Sequence, residues 1–290
     1  MVAVLLGILG LLLLYYMFFL VKDLIANKAN LGTGSIPIAM GIGFVTDFLD
    51  VLGIGSFAPT TMLLQTTKYL DDDKKLPGTL NVAHTIPVMI EAFIFIKVVE
   101  VSPVTLLSLV FSAIIGSWVG SKTVTKLPEK KVQFYVGLAL VATAIIMAAK
   151  QMGWLAMLGD GNTATALTGG KLIIGIVGNF IFGALMTIGV GLYAPCMAMV
   201  YLLGLKPIIA MPIMMASCAG LMPVASAEFI KTGNYSRKGT IGIIIGGIIG
   251  VAIAANFVTN MPMDILTWII IVVIIYTGIT YILKSKKTVA

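Results

Sequence analysis

Two carboxylates stand three residues apart in a strongly apolar stretch, "MGIGFVTDFLDVLGIGSFAPTTMLL" (40–64): Asp47 and Asp50. That spacing puts both on one face of a helix. Asn81, His84, Val88 and Glu91 also recur at helical spacing, so Asn81, His84 and Glu91 can share a face, in a segment that Pro87 is placed to kink. An ionisable side chain at membrane depth is costly and marks a functional site by default. A protonatable group beside an anion site is what proton coupling needs, and an imidazole titrates near physiological pH. Asp47, Asp50, His84 and Glu91 are therefore the candidates for proton coupling. The competing reading of His84, the only histidine, is a hydrogen-bonded packing residue. Glu228 lies near the end of its apolar segment and Asp264 opens the last one, so both read as interfacial.

After the aspartates the chain breaks its own helix with Gly53, Gly55 and Pro59, and the same grammar returns 136 residues later in "MTIGVGLYAPCMAMV" (186–200). Gly53, Gly55, Ala58 and Pro59 align with Gly189, Gly191, Ala194 and Pro195. A break in hydrocarbon leaves backbone groups unsatisfied, at several kcal/mol each, unless it is buried in protein or lines a wet cavity. Glycine permits the sharp turn and the close approach of a ligand. Pro59 and Pro195 sit where a new helix begins, a position proline tolerates. The N–H groups of that new terminus, with the helix dipole, form an anion site that needs no buried lysine or arginine. The expected substrate site is Gly53, Ile54, Gly55, Ser56 and Pro59 with Gly189, Val190, Gly191 and Pro195, assisted by Thr60, Asn81 and Ser217. The alternative is that each Gly-x-Gly only lets helices pack closely.

Catalysis is a weaker reading, and no catalytic residue is assigned. Ser56 with His84 faintly resembles a serine–histidine pair, but Leu192 stands at the matching place in the second half. An aspartyl protease needs its two carboxylates on facing helices, whereas Asp47 and Asp50 lie on one. "GIGSFAPTT" lacks the Gly-Lys-Ser/Thr ending of a phosphate-binding loop. No cofactor is expected, and the methionines show no convergent spacing for a metal.

The elements that must position these residues follow from composition. The chain has 290 residues, 59% hydrophobic and 11% charged, with mean hydropathy +1.07, against roughly 25% charged for a soluble protein. It reads as an all-α polytopic membrane protein. A net charge of +7 could suggest nucleic acid, but the basic residues sit in short loops, where they report topology. Cys196 and Cys218 lie in apolar spans and read as packing residues. Apolar spans fall at 2–21, 79–99, 103–123, 132–149, 208–230, 239–259 and 264–283. The first lacks the basic start of a signal peptide and reads as a retained helix.

Two further apolar regions, 36–69 and 172–205, run 34 residues each, too long for one crossing. If each crosses once, the 19 basic residues divide 8 to 11; if each is a hairpin returning to its own side, they divide 15 to 4. Positive residues favour the cytoplasm, so the hairpins are preferred. That places the N-terminus outside, the C-terminus in the cytoplasm, and the loop 159–170 outside. Each half, 36–149 and 172–283, is then a broken re-entrant hairpin plus three transmembrane helices, with the helix in 1–35 extra. Three crossings per half make the halves inverted repeats, a recurrent transporter architecture.

The duplicated G-[IV]-G-x-x-A-P in "LGIGSFAP" (52–59) and "IGVGLYAP" (188–195), with small-residue segments after each ("LPGTLNVAH", 76–84, and "AMPIMMAS", 210–217), resembles the TauE/SafE family of membrane transporters, often called sulfite exporters. The resemblance covers about 36–283. It implies a permease in the cell membrane for sulfite, a sulfonate or another small anion; the titratable residues within the apolar spans add protons as the candidate coupling partner, the loop placement of the basic residues argues against nucleic acid, and homo-oligomerisation is left open. The aspartates and His84 have no counterpart in the second half. The intramembrane carboxylates also support an alternative, a cation transporter or channel.

Overall fold

A computed structural model describes residues 2–123, 129–152, 162–186 and 192–286, and among them every regular element is helical. The helices are α1 (Val2–Ala26), α2 (Ile36–Val51), α3 (Phe57–Thr66), α4 (Leu76–Val98), α5 (Pro103–Thr123), α6 (Glu129–Gln151), α7 (Gly169–Met186), α8 (Tyr193–Leu202), α9 (Ala210–Thr232), α10 (Arg237–Thr259) and α11 (Met263–Lys286). The seven spans read from hydropathy fall on α1, α4, α5, α6, α9, α10 and α11. The two 34-residue regions each divide in two, α2 with α3 and α7 with α8.

The distribution of side chains is that of a multi-pass membrane protein. Leu11, Phe18, Ile173 and Val272 are more than 60% exposed, while Asp47, His84 and Glu91 are at 0%. Water would reverse that arrangement; lipid stabilises it, because apolar surface needs no burial there. Among the described residues six helical stretches are long and apolar enough to cross a bilayer: Ala3–Ala26, Leu76–Val98, Gly169–Met186, Pro207–Thr232, Arg237–Thr259 and Asp264–Lys286. Pro103–Val119, Gln133–Ala149 and Tyr193–Leu202 are shorter apolar helices.

The chain forms two compact units: residues 1–96 with 218–258, and residues 97–217 with 259–290. In the first, α10 lies against α2 with no room for side chains between them. A Cβ on Gly246 would collide with the Met40 carbonyl, one on Gly250 with the Phe44 carbonyl, and one on Gly43 with the Ile243 backbone. Small residues permit that approach. In the second unit α5 lies against α7 by the same device: a Cβ on Gly116 would collide with the Phe180 carbonyl, and one on Gly183 with the Ala113 carbonyl. There α6 and α11 also meet at glycines, Gly137 and Gly278.

Both broken pairs close on themselves. In the first unit the Tyr69 hydroxyl, just past α3, donates to the Ser35 carbonyl, just before α2, at 3.0 Å. In the second, Lys206 N–H, past α8, donates to the Ala164 carbonyl, ahead of α7, at 2.9 Å. Each pair of arms therefore ends beside the point where it began.

One end of the first unit is tied together by polar contacts. Arg237 donates to Asp23 at 2.6 and 3.0 Å, and the Tyr235 hydroxyl donates to the same carboxylate at 2.5 Å. The Ser236 amide donates to the Thr79 hydroxyl at 3.0 Å. All eight basic residues of this unit fall in the segments gathered there: Lys22, Lys28, Lys68, Lys74, Lys75, Lys231, Arg237 and Lys238.

Candidate functional site

Helix α2 ends because its chain enters a conformation that helices cannot hold. Gly53 and Gly55 take φ of +89° and +84°, in the left-handed region where a Cβ is penalised. The Gly53 N–H returns to the Asp50 carbonyl at 2.8 Å and the Ile54 N–H to the Leu49 carbonyl at 3.2 Å, satisfying the last turn. Ser56 is the N-cap of α3, and its carbonyl accepts the Thr60 N–H at 3.0 Å. No heavy atom stands within 4 Å of where a Cβ on Gly55 would sit.

The last two turns of α2 present Asp47 and Asp50 to α4, which carries His84 and Glu91, seven residues apart on one face. The four side chains are brought together and are at most 1% exposed. The Asp47 Oδ1 and His84 Nδ1 atoms are 2.7 Å apart, and the other ring nitrogen, Nε2, is 2.9 Å from the Thr60 hydroxyl on α3. The Phe57 ring lies against the imidazole, centroids 5.9 Å apart. One oxygen each from Asp47, Asp50 and Glu91 lies within 4.8 Å of the other two. Asp47 Oδ2 and Asp50 Oδ2 are buried without a hydrogen-bond partner.

Asp50, in the last turn of α2, is 1% exposed, and Ser56, across the break, is 3% exposed.

No lysine or arginine is found among the buried residues described. Three ionised carboxylates beside one imidazole would leave buried negative charge uncompensated, and an unpaired buried charge costs several kcal/mol. The arrangement therefore demands positive charge at the cluster, which protons or a cation supply. The three carboxylate oxygens have the right mutual separation to share a cation.

Of the remaining expected residues, Thr60 joins the cluster through His84, and Ser56 is buried at the N-cap of α3. Pro59 follows in the first turn of α3. Asn81 is not brought in: its amide donates to the Pro77 carbonyl at 2.9 Å, one turn back along α4. In the second unit Pro195 is buried in the first turn of α8. Ser217 is buried there too, donating to the Ile213 carbonyl at 2.7 Å and accepting from Asn179 at 3.2 Å. Gly189, Val190 and Gly191 lie outside the described residues.

Sequence reasoning did not single out Gly247 or Asn179. A Cβ on Gly247 would collide with Asp47 Oδ2, so α10 supplies a bare backbone wall to the cluster. The signal available was the run "GIIIGGIIG" (242–250), glycines at helical spacing. Asn179 donates to the Leu109 carbonyl at 2.7 Å, and a lone amide in an apolar helix was signal enough.

Against known proteins, a family model described as "Sulfite exporter TauE/SafE" matches residues 1–147, which contain the whole cluster except the wall at Gly247. No curated protein and no solved structure matches the chain.

Proposed function

The chain belongs to the sulfite exporter TauE/SafE family, whose members are membrane transporters, and on that footing we propose that it is a secondary permease for a small anion, sulfite or a sulfonate, coupled to protons through Asp47, Asp50, His84 and Glu91. The observation that carries this reading is the placement of four buried titratable side chains against the break between α2 and α3. A helix N-terminus offers an anion about 0.3–1 kcal/mol at exposed sites and up to ~2 kcal/mol where partly buried. Such a site holds an oxyanion at modest affinity and releases it, whereas a buried arginine would hold it longer. The titratable groups give the protein a way to take up a proton with its cargo.

The topology proposed is two inverted repeats, each a re-entrant pair plus three crossings, with α1 outside the repeat. It is supported by the way each broken pair returns to its starting point, and by the collection of all basic residues of the first unit at one end, the expected cytoplasmic end. The cation reading draws on the 4.8 Å cluster of carboxylate oxygens. It is separated from the anion reading by ligand preference. The purified protein, challenged with sulfite, a sulfonate, a carboxylate and alkali-metal chlorides, should gain thermal stability with the sulfur oxyanions. Stabilisation by an alkali cation alone, indifferent to the anion, would favour the cation transporter.

A further inference from the structure

The geometry points to Thr60 as the residue that turns a proton on the Asp47–His84 pair into a hydrogen-bond donor for the transported anion. This rests on the anion reading above and gives its coupling a named atom. Two distances carry it. Asp47 Oδ1 and His84 Nδ1 are 2.7 Å apart, and His84 Nε2 is 2.9 Å from the Thr60 hydroxyl oxygen. All three side chains are 0% exposed. A line of carboxylate, imidazole and hydroxyl thus runs from α2 through α4 to α3, across the break. The neighbouring threonines behave differently. The hydroxyls of Thr61, Thr66 and Thr67 donate to carbonyls one turn back, at 2.8, 2.6 and 2.7 Å. Among the described residues the Thr60 hydroxyl has the imidazole nitrogen as its partner instead.

A hydroxyl has one hydrogen, and a neutral imidazole has one N–H. With Asp47 ionised and the ring neutral, Nδ1–H donates to the carboxylate and the bare Nε2 accepts the Thr60 hydrogen. The hydroxyl then offers only lone pairs, which repel an anion. One more proton on the pair reverses this bond. The ring holds it as imidazolium, or Asp47 holds it and donates to Nδ1. Either way Nε2 carries an N–H and Thr60 must accept. Its own hydrogen is released inside a buried site, where an unmet donor is costly, and an oxygen of the oxyanion meets it. Proton and anion bind as a pair and add no net charge. Gly55, at the same break, has no heavy atom within 4 Å of where a Cβ would stand, which leaves room for a ligand before α3. The charged groups around the imidazole are Asp47 and Asp50 from α2 and Glu91 from α4 itself. From α3 it meets Thr60 and the Phe57 ring. On the α10 side the cluster is walled by Gly247, and α9 offers the Ser226 hydroxyl to the adjoining Thr85, so neither adds a charge there.

His84 is the only histidine, so labelling the purified full-length chain with 15N-histidine yields one imidazole, whose 15N shifts separate a bare ring nitrogen from an N–H. The probe is methanesulfonate, whose charge is constant over about pH 5–8, the range in which histidine titrates and sulfite changes its own charge. At about pH 8, above the usual titration of histidine, the free protein should show one bare nitrogen and one N–H. Saturating methanesulfonate should convert the bare nitrogen to an N–H. By linkage, the parent's affinity for methanesulfonate should fall by up to about tenfold per pH unit as pH rises through that change. Thr60→Val keeps the shape of the side chain without its hydroxyl. It should lose most of the slope and, at the acid end, bind about tenfold more weakly than the parent, as loss of one hydrogen bond to a charged group requires. Thr60→Ser should restore both. The ring measurement on the parent needs no variant: methanesulfonate that binds and leaves the ring unchanged would overturn the inference. Equal slopes in parent and Thr60→Val would also overturn it, assigning the coupling to charge alone while leaving an anion transporter. Absence of binding by the parent at every pH would instead remove the anion reading, and this inference with it.

Discussion

Gly53 and Gly55 are the residues at which the break is decided, and they differ from glycines that serve packing. Gly55 has open space where a side chain would stand, but its φ of +84° is strained for any L-residue. Gly55→Ala should therefore cost about 1–2 kcal/mol, seen as a modest drop in melting temperature of a protein that still folds. Gly55→Val should in addition weaken methanesulfonate binding sharply, because its branches fill the approach to Ser56. At the imidazole, Asp47→Asn leaves His84 buried against a neutral partner, and breaking a buried pair costs about 3–5 kcal/mol. Asp47→Asn should thus melt well below the parent and transport without responding to a pH gradient; unchanged stability and coupling would mark the Asp47–His84 contact as incidental. These four titratable residues were legible in the sequence because ionisable groups are conspicuous in apolar spans. The contact of Thr60 with His84 across the break was not. It depends on the angle at which the chain leaves the glycine corner, and no spacing rule reports that angle. Asn81 shows the converse: helical spacing put it on a face with His84, but a carbonyl of its own helix, at Pro77, takes its amide.

Among the elements, hydropathy located the helices within a few residues because length and apolarity are what a bilayer requires. The partners were less legible. The glycines of α10 announce a face that another backbone can approach, but not which one, and the packing of α10 on α2 and α5 on α7 emerges only in three dimensions. Gly246→Leu should force α10 away from the Met40 carbonyl, costing about 1–3 kcal/mol by overpacking, and by displacing the wall at Gly247 should also depress transport. Gly41→Ala, on the same α2 with nothing within 4 Å of its Cβ, should leave stability equal or slightly raised, since alanine is the better helix former. Melting curves of both variants in detergent check the pair. Equal behaviour would mean that α10 does not lean on α2 in the membrane.

For the whole molecule, the basic residues divide unevenly between the two sides when each broken pair is a hairpin, and those of the first unit share one end. Cysteines introduced at Asp72→Cys and Thr163→Cys should react with an impermeant maleimide from opposite sides of the cell membrane, 72 from the cytoplasm. The native Cys196 and Cys218 are buried and should contribute little background. Reaction of both sites from one side would contradict the hairpin topology.

The central claim is that anion movement is tied to protons through the buried cluster. It is tested most directly by reconstituting the chain in liposomes and recording methanesulfonate and proton fluxes together under an imposed pH gradient. The account predicts that the anion accumulates on the alkaline side, that a proton moves with it, and that Asp50→Asn carries the anion only down its own gradient. Anion flux in the parent that is indifferent to the pH gradient and moves no protons would contradict it.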